Sequence, residues 1–329
     1  MRDYGSMVTV GVVLSAGGHY AAAHHAGVLD ALASATGWDP RHADVVVGTS
    51  AGAVMAVCLR AGLSAADLAA YYNGKPLSPE GQTISDRVTT RLHVPDSDLQ
   101  PKTRWPAKPM LVAREMFVGG RPRPMVAIAG ILPEGEVDGS SFAERAEQLH
   151  PNPWPTQPTW LCAVDLDSGQ RVVFGRDDVD TTVGPAVQAS SAIPGYFAPV
   201  KINDRRYVDG GIHSSTNADV LAPLHLDLVV VSSSKTVPPS VDRRSGGSLA
   251  VAWHGRTLRR EIERIAAKGT TVLVLQPTAG DISSRGPWDM DAATTADVYA
   301  NGKDSALARL AHPDASAGRQ LLEKQTTES

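Results

Sequence analysis

The run Gly48-Thr49-Ser50-Ala51-Gly52 sets a serine between two glycines, each two positions away. A serine alcohol is a weak nucleophile and must be presented on a sharp turn from strand to helix. Glycines at this spacing leave the backbone room to make that turn. The helix that follows would aim its first amides at the carbonyl oxygen on which negative charge develops. Five residues are a weak signal alone, because a merely tight turn shares the pattern. Context strengthens it: Asp44-Val45-Val46-Val47 reads as a short strand before the turn, and Ala53 to Ala61 as a buried helix after it.

Two further segments carry compatible chemistry. The apolar run Val8 to Leu14 ends in Ser15-Ala16-Gly17-Gly18. Paired glycines at the carboxyl end of a sheet strand expose backbone N–H groups that can cradle a phosphate or an oxyanion. A dinucleotide site would need Gly-x-Gly-x-x-Gly, which this loop does not supply. Paired with Ser50 on a neighbouring strand, the oxyanion role fits the loop better. Tyr207-Val208-Asp209-Gly210-Gly211 places a carboxylate at a strand end with glycines clearing the space beside it. In a partly dry site such a carboxylate could accept the serine proton directly. An Asp-Gly-Gly loop that only caps a strand reads equally well from these residues.

Other candidates have competing explanations. His25, one helical turn beyond the glycine loop, could tether that loop to its backbone or be an ordinary partly buried histidine; His24 faces another side of the helix. His213 could polarise a substrate, although a solvent-facing loop histidine is commoner. Met110 to Val118, followed by Arg121 and Arg123, would serve as an acyl-chain wall, a membrane-dipping lid or plain core helix. Cys58 and Cys162 sit in apolar runs and read as buried thiols of a reducing compartment. The ten histidines show no zinc-site spacing, so no metal is expected.

The elements that must position these groups alternate strand, helix, strand, helix within the first 62 residues, with the first helix at Tyr20 to Ala35 and Gly37 as its C-cap. That order argues for an α/β fold with a parallel sheet. From about residue 73 to 158 prolines are dense and apolar segments short, which predicts a partly helical insert, with helices near 110–117 and 140–149, and not a second domain. Regular structure resumes with a hairpin, Thr159 to Val164 and Arg171 to Phe174. A short helix follows at Val183 to Ser190. Strands at Leu226 to Ser232 and Thr271 to Gln276 flank a charged helix from Leu249 to Ala267. The polar tail, Glu323 to Ser329, is expected to fray. The chain is thus expected to be one domain over 1–329, with core blocks 8–72 and 159–312.

Bulk properties narrow the partners. With 42% hydrophobic residues, 20% charged and a net charge of −4 over 329 residues, nothing draws the surface as a whole to nucleic acid. Contact with a membrane surface would have to be local and transient. The N-terminus lacks the basic and apolar pattern of a signal peptide, and no apolar stretch reaches the roughly 18–20 residues of a spanning helix. Cytoplasmic residence is the default expectation.

Together the blocks resemble the patatin-like phospholipase family. The first resemblance lies in Val13-Leu14-Ser15-Ala16-Gly17-Gly18, His25-Ala26-Gly27-Val28-Leu29 and Val47-Gly48-Thr49-Ser50-Ala51-Gly52-Ala53. The second lies in Ala189-Ser190-Ser191-Ala192-Ile193-Pro194-Gly195-Tyr196-Phe197-Ala198-Pro199-Val200 with Tyr207-Val208-Asp209-Gly210-Gly211. The resemblance implies a three-layer α/β sandwich around a mainly parallel sheet. It also implies a serine acyl hydrolase with a Ser50–Asp209 dyad, an acyl or lipid ester as substrate, and no metal or organic cofactor. Amides of Gly17, Gly18 and His19, helped by Ala51, would form the oxyanion hole, with Gly48, Gly52, Gly210 and Gly211 as motif glycines.

The chain departs from the family where many members carry glycine, arginine and glycine, having His19, Ala21 and Ala22 instead. Its loop is bulkier and less basic. Asn217 is followed by Ala218 where the family often has asparagine and proline, and no role is assigned to it here. Three rivals stand beside this reading: a triad using His254 or His312, an acyltransferase built on the same dyad, and a catalytically silent interaction module.

Overall fold

Strands β1 (Val10–Leu14) and β2 (Val45–Thr49) are buried along their whole length. Apolar, β-branched runs without polar alternation fit only where both faces of a sheet are covered. They pair in parallel, with Leu14 opposite Gly48. In the computed structural model, which describes residues 8–92, 130, 132–238, 249–277 and 295–328, they form the centre of an eight-stranded sheet.

The other strands are β3 (Thr159–Asp165), β4 (Arg171–Phe174), β5 (Val200–Ile202), β6 (Arg205–Asp209), β7 (Leu228–Ser232) and β8 (Thr271–Leu275). Their order is β5-β6-β3-β2-β1-β7-β8, with β4 paired to β3 off this path. The β3–β2–β1–β7–β8 segment is parallel, while β4 and β6 pair antiparallel with β3 and β5 pairs antiparallel with β6. Strands from both predicted core blocks therefore share one sheet.

Alternating residues of the strands feed two cores. On one face Val10, Val12 and Leu14 pack with residues of α1 (Gly18–Thr36), α2 (Ala51–Arg60) and α6 (Val183–Ser191). On the other, Val13, Val47, Val229 and Val231 pack with Leu258 and Ile265 of α7 (Leu249–Ala266) and with Val220 and Leu221. Helices on both faces give the three layers. The remaining helices are α3 (Ala65–Tyr72), α4 (Pro79–Ser85), α5 (Ser140–Leu149), α8 (Thr295–Ala311) and α9 (Ser316–Glu328).

Most element boundaries fall within two residues of the sequence expectation, including the left-handed Gly37 that closes α1. The C-terminal expectation was wrong. Instead of fraying, residues 316–328 form α9, because Leu322 is fully buried and Gln325 nearly so. The segment 110–118, with Arg121 and Arg123, lies outside the described residues. Among those described, no helix is long and apolar enough to cross a membrane.

Candidate active site

Strand β3 acts as a ruler that brings Ser50 and Asp209 together. β2 runs parallel to it and ends with Thr49 opposite Cys162. β6 runs antiparallel to it and ends with Asp209 opposite Ala163, the next residue along. β4 overlaps both pairings on β3, so β2 and β6 must share the opposite edge and meet end to end. Side chains 159 positions apart in sequence (209 − 50) are thus neighbours. The Ser50 hydroxyl lies near enough to the Asp209 carboxylate to favour its charged form.

Ser50 sits at φ 56°, ψ −120°, a strained backbone that throws its side chain off the end of the strand. The turn closes only because Gly52 has no side chain: a Cβ there would lie 2.0 Å from the carbonyl oxygen of Leu14. Two side chains brace the turn. The Ser50 amide donates to Ser190 Oγ at 2.9 Å, and that hydroxyl donates to the Cys162 carbonyl at 2.7 Å. Asn217 Nδ2 donates to Thr49 Oγ1 at 3.1 Å and to the Ser214 carbonyl at 2.7 Å, which ties the residue before Ser50 to the loop after Asp209. Arg171 holds Asn217 Oδ1 at 3.2 Å and pairs with Asp219 at 2.6 Å.

Helices α1 and α2 begin side by side, since each follows one of two adjacent parallel strands. Neither has a side-chain cap, and a helix's first amides lack acceptors within it. Gly18, His19 and Ala51 begin these two uncapped helices, with Gly17 in the turn before α1, and helix starts of this kind can receive negative charge. His25 anchors the glycine loop. Its Nε2 lies 2.8 Å from the Ser15 carbonyl and its Nδ1 2.7 Å from Ser232 Oγ. Burial pushes its pKa down to about 4, so the ring is neutral. A carbonyl can only accept, so Nε2 carries the proton and Ser232 donates to Nδ1.

Burial raises the Asp209 pKa above the usual carboxylate value. The Ser50 hydroxyl, the Gly211 amide (2.7 Å) and the charge of Lys235 act in the opposite direction. The result is a carboxylate more basic than a solvated one, as a proton acceptor requires. His213 turns its Nδ1 to Asn217 Oδ1 at 3.2 Å, bracing the loop. The His19 ring lies 6.0 Å from that of Tyr72. Cys162 is buried and Cys58 half-buried, and both are free thiols. Among the described residues no group of three or more His, Cys, Asp or Glu side chains could hold a metal ion.

Ser50, Asp209, the glycine loop and Ala51 thus converge at one end of the sheet, and His25 takes the tethering alternative. Sequence reasoning missed the bracing roles of Ser190 and Asn217, although both lie in or beside the second motif. It also missed Lys235, which no motif marks: it follows β7 in a plain Ser232-Ser233-Ser234-Lys235 run.

A family model described as patatin-like phospholipase matches residues 12–222, a span holding every group of this site except Ser232 and Lys235. Uncharacterized NTE family proteins of Mycobacterium bovis and Mycobacterium tuberculosis are 30% identical over 102 residues, 31% of this chain but only 27% of their own length. Among solved structures, the type III effector ExoU aligns at 16% identity and TM-score 0.38, covering 92% of this chain and 53% of that one. VipD from Legionella pneumophila aligns at 14% identity and TM-score 0.40, covering 92% and 66%.

Proposed function

Because the chain belongs to the patatin-like phospholipase family, we propose that it is a serine acyl hydrolase acting on lipid esters through Ser50 and Asp209. The observation that supports this best is the meeting of the Ser50 hydroxyl and a base-strengthened Asp209 carboxylate beside two uncapped helix N-termini.

In this reading Asp209 accepts the Ser50 proton as the oxygen attacks the acyl carbonyl. The oxyanion develops against the amides of Gly17, Gly18, His19 and Ala51, where aligned N–H dipoles stabilise it without reorganising. Collapse expels the alcohol, which takes its proton from Asp209, and leaves the acyl group on Ser50. Water then enters, gives a proton to Asp209 and bonds to the acyl carbon; collapse releases the acid as the Ser50 oxygen takes that proton back. His25 and Ser190 do not touch the substrate. They hold the donors and the nucleophile in place.

A fluorophosphonate probe and a panel of p-nitrophenyl and glycerolipid esters test the proposal. Wild-type protein should be labelled at Ser50, and Ser50→Ala or Asp209→Asn should each lower kcat/KM by at least about 10³-fold, as loss of a nucleophile or base does. Since Asp209 must be ionised, activity should fall with decreasing pH at a value above that of a solvated aspartate. An Asp209→Asn protein within tenfold of wild type would refute the dyad.

A further inference from the structure

Lys235 stands on the wall of this site. Strand β7 lies beside β1 in parallel, Ser232 opposite Leu14, so the segments leaving the two strands run together. They are stitched to one another: the Ser234 amide donates to Ser15 Oγ at 3.0 Å, and Ser234 Oγ donates to the Ala16 carbonyl at 3.0 Å. The next residue, Lys235, is thereby laid against the glycine loop. Its Cε would sit 3.5 Å from a Cβ built on Gly17, the same spot that the Ala21 methyl approaches to 2.7 Å. A Cβ on Gly211, in the Asp209 loop, would meet Ala16 at 3.1 Å, so the same short loop touches both sides of the site.

The setting of this ammonium is that of a binding group. Its side chain is exposed, yet surrounding protein desolvates it and lowers its pKa. Both hold together for a group lining a concave wall. Asp209 and Lys235 act on one another electrostatically, but no carboxylate among the described residues pairs with the ammonium at ion-pair distance. A second titratable group that Lys235 acts on, His254 on α7, is kept neutral, its pKa lowered to about 3 by burial and by the charge of Lys235. The glycine loop itself carries no cation, since residues 17–22 read Gly-Gly-His-Tyr-Ala-Ala and burial lowers the pKa of His19. One desolvated cation next to unpaired amides favours an anionic oxygen group over a neutral one.

We propose that Lys235 is a specificity-determining residue that holds an anionic oxyacid group of the substrate, phosphate or carboxylate, beside the glycine loop, so that the site prefers anionic esters over neutral ones. The inference rests on the hydrolase reading of Ser50 and Asp209 and adds a substrate class to it.

The test compares matched soluble esters: 1-hexanoylglycerol 3-phosphate against 1-hexanoylglycerol, and O-hexanoyl glycolate against the monohexanoyl ester of ethylene glycol. The readout is the ratio of kcat/KM for the anionic ester to that for its neutral partner. Lys235→Met should lower this ratio about 10- to 100-fold, the effect of one charge-assisted contact, mainly through KM. Lys235→Arg should keep it within about threefold. The pair showing the larger loss identifies phosphate or carboxylate as the group held. A ratio unchanged in Lys235→Met overturns the proposal, and so does an equal fall for both esters of each pair, which would place Lys235 at the reacting centre instead.

Failure of the hydrolase reading would look different: no turnover of any ester and no labelling of wild-type Ser50. Calorimetric binding of the same esters to Ser50→Ala protein, with and without Lys235→Met, then decides the matter independently of turnover. Weaker binding of the anionic ester alone supports the proposal, and equal binding overturns it.

Discussion

Replacing Ser190 with alanine would test whether the nucleophile turn is held by its braces. Ser190 is fully buried, and its hydroxyl stands between the Ser50 amide and the Cys162 carbonyl at 2.9 and 2.7 Å. Alanine strands one donor and one acceptor and leaves a void only the size of a hydroxyl. Each unsatisfied buried group costs about 1–3 kcal/mol. With partial relaxation of the turn, a loss of about 2–4 kcal/mol is expected. At about 2 cal/mol/K of unfolding entropy per residue, that corresponds to a Tm lower by about 3–6 °C.

The kinetic effect follows from the backbone. The conformation of Ser50 stores about 1–3 kcal/mol that the surrounding structure must oppose. Without its anchor the amide can swing toward a relaxed geometry, and each 1.4 kcal/mol of relaxation lowers the productive fraction about tenfold. Ser190→Ala should therefore slow fluorophosphonate labelling of Ser50 and reduce kcat/KM about tenfold, with KM nearly unchanged. Thermal unfolding and labelling rates measured on the same preparation provide the check. A Tm within about 1 °C of wild type together with wild-type labelling would refute the bracing argument.

Three further outcomes follow from the geometry. His25→Ala removes both bonds that fix the glycine loop and should lower kcat about 10- to 100-fold at little cost in KM; since His25 is neutral well above its pKa of about 4, this deficit should be the same at every pH from 6 to 9, and a deficit that varies with pH would argue for an acid–base role instead. Glu261, buried and bonded to Thr216 and to the Ala218 amide, has its pKa raised to about 7, chiefly by burial, above the ordinary 4.5. The folded state then binds the proton more tightly than the unfolded one, so its stabilising effect is complete below about pH 4.5 and is lost as pH rises through about 7. Urea midpoints should accordingly fall over that window in wild type and fall less in Glu261→Gln, and parallel profiles would contradict the assignment. Gly52→Ala, whose Cβ would lie 2.0 Å from a backbone oxygen, should yield no soluble folded protein, as judged by expression and circular dichroism.

Much of this was legible in the residues themselves. Gly48, Ser50 and Gly52 announce a strained turn because few other residue types tolerate one, and the Val-rich strands announce burial because nothing else in them could meet water. Polar composition misled at the C-terminus, where Gly318, Leu322 and Gln325 are buried and Leu321 packs against the core, docking α9 although most of its residues are polar. Periodicity is a local property and could not show which strand lies beside which.

The sequence by itself determined the chemistry on offer: a serine, an aspartate and two sets of free amides, each at the carboxyl end of its own strand. Only the tertiary structure decided that they face one another. The register of β2 and β6 along β3 sets that distance, and the β1–β7 pairing brings Lys235 to the glycine loop. Backbone hydrogen bonds between strands far apart in the chain fix those registers, and no short motif records them.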